Sequence, residues 1–148
     1  MRIILAALAL TAATALSPAH AGPYGDDLSK CLVASTSPEE KGLLVDWIFT
    51  SIALNPRVSN MAQVPKERRE AINRGTAGLY TKLLGETCLD QTRLALQYEG
   101  QGAIGSAFQL LGQVAAQQIF ADPAVTAGTE EFANYIDTDA LQKAFEKK

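Results

Sequence analysis

One stretch limits the folds open to this chain more than any other: Ser37 to Pro56, reading SPEEKGLLVDWIFTSIALNP. Its start is marked three ways. Ser37 offers a capping oxygen, Pro38 has the fixed φ suited to the first helical position, and Glu40 stands three residues after the cap, where it completes a capping box. Its end is marked by Asn55-Pro56, because proline crowds the preceding residue out of the helical region. Between these signals Leu44, Val45, Ile48, Phe49 and Ile52 form one broad apolar face, and Leu43, Trp47 and Leu54 a second. Only the strip of Glu39, Asp46 and Thr50 is polar. A helix that is apolar almost all round is expected to be buried almost all round. The stretch therefore predicts the pillar of a helical core, with the Glu39–Asp46–Thr50 strip facing water.

The rest of the chain punctuates itself in the same way. Leu28, Cys31 and Leu32 predict a short helix from about Asp27 to Ala34, and Pro56 to Asn60 reads as a turn. Val64-Pro65 opens a helix with Ile72, Leu79, Leu83 and Leu84 on its inner side. Gly75 and Gly78 each weaken it by about 1 kcal/mol relative to alanine, which points to close packing against a neighbour. Gly85 predicts a break, and Thr87 or Leu89-Asp90 a new helix with Cys88, Thr92, Ala95 and Leu96 inward. After the soft point Gly100-Gln101-Gly102, the residues Ile104, Ala107, Phe108, Leu111, Val114, Ala115, Ile119 and Phe120 make a long stripe at three-four spacing, ended by Asp122-Pro123. Two short helices follow, one carrying Phe132, Tyr135 and Ile136, the other running from Thr138, capped by Asp137, through Leu141 and Phe145. No segment alternates as a strand would. The expected fold is all-α: a compact helical bundle of five to seven helices tied by one disulfide.

Residues 1–21 read as a secretory signal peptide: Arg2, an apolar run from Ile3 to Leu16, and the small-x-small site Ala19-His20-Ala21. Cleavage near Ala21 makes Gly22 the first residue of a single helical domain, 22–148. The run is too short for a membrane anchor, and the expected location is the periplasm or the medium. Cleavage removes Arg2 and His20, leaving 12 basic and 16 acidic side chains. That weak acidity supplies no reason to expect nucleic acid or an anionic membrane as partner. In an oxidising compartment Cys31 and Cys88 read as a disulfide, with two buried free thiols or an intermolecular bridge as the alternatives.

His20 is the only histidine in the chain. Without it the processed protein has no Ser-His-Asp or Cys-His arrangement and none of the usual zinc sets, and bridged cysteines offer no thiolate. Carboxylate pairs remain: Asp26-Asp27, Glu39-Glu40, Glu86 with Asp90, Glu130-Glu131 and Asp137 with Asp139. Most stand at helix starts, where an acidic group favours the positive end of the dipole, so a carboxylate-dependent hydrolase is the minor reading. Gly100-Gln101-Gly102-Ala103-Ile104-Gly105 matches the dinucleotide fingerprint in letters, but it follows a helical pattern rather than a strand and reads as a helix joint. No cofactor, metal or catalytic residue is expected. Lys66-Glu67-Arg68-Arg69-Glu70 with Arg74 is the one basic concentration, and its i,i+4 pairs make it a solvated face before an anion or partner patch. Candidate interaction residues are Arg68 and Arg69 from this face, Asp46 from the polar strip, and Trp47, which is core by default and an interface anchor as the sharper alternative.

Several motifs together resemble a family of small exported proteobacterial helical proteins to which no activity is attached. They are Cys31-Leu32-Val33 with Ser35-Thr36, Trp47-Ile48-Phe49, Asn55-Pro56, Cys88-x-Asp90-Gln91-Thr92, Glu99-Gly100, and Ser106-Ala107-Phe108-x-x-Leu111-Gly112-Gln113. The resemblance implies an exported helical protein and transfers no site. Periplasmic acid-stress chaperones and periplasmic immunity proteins share the architecture without sharing motifs. The function expected is non-enzymatic binding of another protein or a small apolar ligand, with chaperone-like and immunity-like roles as alternatives.

Overall fold

The capping box forms as expected: the Glu40 N–H donates to Ser37 Oγ at 3.2 Å, and the Ser37 N–H donates to Glu40 Oε2 at 2.9 Å. It opens the second of seven α-helices in the computed structural model, which describes residues 22–146. The helices are α1 Pro23–Ser35, α2 Pro38–Ile52, α3 Lys66–Lys82, α4 Leu89–Glu99, α5 Gln101–Phe120, α6 Pro123–Glu131 and α7 Thr138–Glu146. No strand occurs among the described residues. The expected leader, residues 1–21, lies outside them. Cys31 of α1 and Cys88, the residue before α4, form the expected disulfide.

The centre of the core is α1 rather than α2. Leu28 and Leu32 of α1 are wholly buried, together with Leu83, Cys88, Ala95, Ala107 and Leu111. α1 lies against α4 and α5, where Ala95, Ala103 and Ala107 let the backbones approach. α2 packs on α3 and α5 at one side of this core. It buries only Leu44 and Thr50, and leaves Trp47 42%, Phe49 50% and Ile52 52% exposed. The expectation of a helix buried on most sides is therefore overturned. Two neighbours cover two sides of a helix, and no described element covers the third.

Thr50 also departs from the expected polar strip, being 3% exposed. Its hydroxyl donates to Trp47 O at 3.0 Å, so a short side chain is buried with its polar atom already satisfied by its own helix.

Gly85 does not break the chain. A π-helical turn, Leu83–Thr87, continues from α3, with the Cys88 N–H donating to Leu83 O at 2.8 Å. The wider turn brings both Leu83 and Cys88 to the core. Gly75 packs closely as expected, since a Cβ there would lie 3.3 Å from Leu43 Cδ2, but Gly78 has open space. Leu96, expected inward, is exposed; α4 ends three residues later at Glu99, and Gly100, with a φ of +77°, turns the chain into α5. A Cβ on Gly102 or Gly105 would meet nothing within 4 Å, so only Gly100, by its φ, needs to be glycine at this joint. At the end, α6 touches only α5 and the 3₁₀ turn Phe132–Tyr135, and α7 packs against no other helix among the described residues.

Candidate functional site

The exposed side of α2 borders a groove. Leu44 and Trp47, three apart, point to one side of α2. Asn73, Thr76, Ala77, Tyr80 and Thr81 recur at three-four spacing along α3, and Phe108 closes the groove from α5. Its volume is about 520 Å³. Ala77 supplies depth by being small. The Tyr80 and Phe108 rings stack at 4.6 Å between centroids and 18° between planes, which fixes the two aromatic walls in place. The same pair forms a ridge: on its far side Leu84, Leu96, Ile104 and Gly105 line a second groove of about 430 Å³. Phe49 and Ile52, on the other side of α2 from the groove, and Ile48 and Leu54 are exposed as well.

Of the residues singled out from the sequence, Trp47 stands in the groove wall. Asp46, one position along, is exposed and receives Arg68 Nη2 at 3.5 Å, linking α2 to α3. A pair this long and this wet adds little stability. Arg69 is not part of this arrangement; it is half-buried along a separate polar cleft with Thr50, Ala53 and Gln63. Within the basic face, Lys66 pairs with Glu70 at 3.6 Å and Arg74 with the same carboxylate at 3.8 Å. Tyr80 and Phe108 were absent from the sequence candidates. An aromatic at helical spacing reads as core, and nothing local tells a core ring from one at a groove wall.

Several of the carboxylates are held at helix ends and in ion pairs. Asp122 accepts the Ala124 N–H at 2.8 Å and Asp137 the Ala140 N–H at 2.9 Å. Glu99 accepts the N–H groups of Tyr24 and Gly25, one on each oxygen, at 2.9 Å. Glu40 accepts Lys82 Nζ at 2.8 Å as well as the Ser37 N–H. The hydrogen bond from Lys82, then that from Ser37, holds the Glu40 carboxyl below its ordinary pKa. Among the described residues no group of three or more His, Cys, Asp or Glu is placed to hold a metal ion, and no helix is long and apolar enough to cross a membrane.

The arrangement is thus an aromatic-walled groove on three helices, with a Trp at its edge and no converging acid–base pair described within it. No protein-family model, no curated protein and no solved structure matches this chain.

Proposed function

We propose that this is a non-enzymatic, exported helical protein that binds another protein, taking an apolar segment of it against the α2–α3–α5 groove. One observation carries the reading: Trp47 is 42% exposed at the edge of a groove walled by Tyr80 and Phe108. Folding alone would favour covering that surface, since fully burying such a side chain is worth about 1.5–3 kcal/mol. Trp and Tyr are also the residue types that dominate binding energy at interfaces. The periplasm is the compartment that the leader and the disulfide favour.

The test is affinity capture from periplasmic extract, followed by titration of the identified partner against the intact chain and three variants. Trp47→Ala and Tyr80→Ala are expected to weaken the Kd at least tenfold, while Lys143→Ala on α7 leaves it unchanged. Equal retention by all four proteins would sink the proposal.

A chaperone-like form of this reading has its own support. Glu40 and Lys82 join α2 to α3, the two long walls of the groove. Protonating Glu40 releases that clasp and frees more apolar surface. Binding of a hydrophobic dye should then rise on acidification, and a flat response from pH 7 to 2 would count against it. A small apolar ligand in the same groove would appear as bound mass in native mass spectra.

A further inference from the structure

The start of α1 is held by a carboxylate from 74 and 75 residues away. Glu99, the last residue of α4, accepts the Tyr24 N–H on Oε1 and the Gly25 N–H on Oε2, each at 2.9 Å. Tyr24 stacks on Tyr98 at 4.7 Å, which fixes the two chain segments beside each other. Gly100, with φ +77°, turns the backbone directly after Glu99. Gly22, which caps α1, lies so close that a Cβ on it would overlap Glu99 Oε1. A larger residue there would push the carboxylate aside, and the Gly22 Cα, one bond from that Cβ position, lies within about 4 Å of it.

Gly22 is also the residue that the small-x-small site makes the first of the processed chain. We infer that cleavage between Ala21 and Gly22 creates an ammonium group that pairs with the Glu99 carboxylate, so that Glu99 receives the new N-terminus and processing completes the cap of the central helix. The inference rests on the export reading. The chemistry is peptide hydrolysis: water adds across the Ala21–Gly22 bond, a carboxylate leaves with the leader, and Gly22 keeps a protonated amine. The amine nitrogen is one bond, about 1.46 Å, from that Cα. A positive charge at a helix start opposes the dipole, and so requires an anion beside it. Glu99 is that anion. The nearest other charges on α1 are Asp26 and Asp27, the latter paired with Lys30 at 2.9 Å. α5 contains no charged residue, and on α4 the remaining charges, Asp90 and Arg93, lie within 3.8 Å of each other.

The experiment uses residues 22–148 with a free Gly22 amine, the same chain acetylated there, and Glu99→Gln in each. Glu99→Gln is expected to lower Tm by about 3 °C more in the free-amine chain than in the acetylated one. In the unmutated chain the Gly22 amine, followed by NMR with a 13C label at Gly22, should titrate above the ordinary α-amino range of about 7.7–8.0. A raised pKa means that the added stability is complete below the unfolded amine's pKa and is lost as pH rises through the folded value. Equal losses of Tm and an ordinary titration would overturn the pairing and leave Glu99 as a cap for the backbone alone. The titration needs no variant, so it decides the question even if Glu99→Gln fails to fold. Intact mass of the exported protein separates the two readings: a chain beginning at Gly22 supports the inference. Any other first residue overturns processing as its source, while the titration still reports on the pairing itself.

Discussion

Thr76 Oγ1 is buried in the groove wall and meets no hydrogen-bond partner among the described residues, whereas Thr50, also buried, has its Oγ1 bonded to Trp47 O. Leaving a buried hydroxyl unsatisfied costs about 1–3 kcal/mol. Valine has nearly the same shape without the polar atom. Thr76→Val is therefore expected to stabilise the chain by about 1 kcal/mol in urea unfolding. Destabilisation would show that the hydroxyl has a partner in solution. At this scale the sequence was readable wherever a residue acts on its own backbone. Ser37, Asp137 and Asn55-Pro56 marked boundaries that the structure keeps to within a few residues. It was not readable for Thr50 or Glu99. A threonine that bonds its own helix looks the same as one facing water, and nothing near Glu99 points to Tyr24.

At the scale of elements, α2 is a helix whose composition exceeds the cover available to it. Its apolar residues go most of the way round, but α3 and α5 cover only two sides. The uncovered side is the one that carries Phe49 and Ile52, while Trp47, nearly opposite Phe49 on the helix, is left partly exposed at the edge of the groove. The α2–α3 contact is tied at one end by Glu40 and Lys82 and further along by Asp46 and Arg68, with Gly75 letting Leu43 approach between them. Glu40 gives this contact a pH dependence. Its folded pKa lies below the ordinary value of 4.5, so its contribution is complete above the unfolded pKa and is lost as pH falls through the folded one. The stability difference between the wild type and Glu40→Gln should hold steady from pH 7 to about 5 and close below pH 4.5. A difference that persists unchanged to pH 2, measured by thermal unfolding across the range, would remove Glu40 as the source.

The molecule as a whole is stapled where its core is centred. Cys31 lies on α1, between the turns that carry Leu28 and Leu32, and Cys88 is wholly buried where the π-turn meets α4. The bridge spans 57 residues and encloses α2 and α3, the two longer walls of the groove. Constraining a loop of that length stabilises by at most about 4 kcal/mol through the entropy of the unfolded chain. Replacing the pair by Cys31→Ser and Cys88→Ala should lower Tm by more than 10 °C, as about 4 kcal/mol does in a domain of this size. A fall of only a degree or two would mean that core packing holds α1 in place without the bridge.

Helix positions, caps, the cysteine partners and the all-α class were legible because each depends on chemistry within a few residues or, for the disulfide, on two thiols with no competitors. The core centre at α1, the open face of α2, the Tyr80–Phe108 ridge and the Glu99 cap on α1 were not. Each depends on which helix lies beside which, and an apolar pattern states how much surface a helix can bury without stating which neighbour will bury it. Ser37 to Pro56 carried the strongest helical signal in the chain, and for that reason it read as the core. Tertiary packing placed it at the edge, where its apolar excess faces outward.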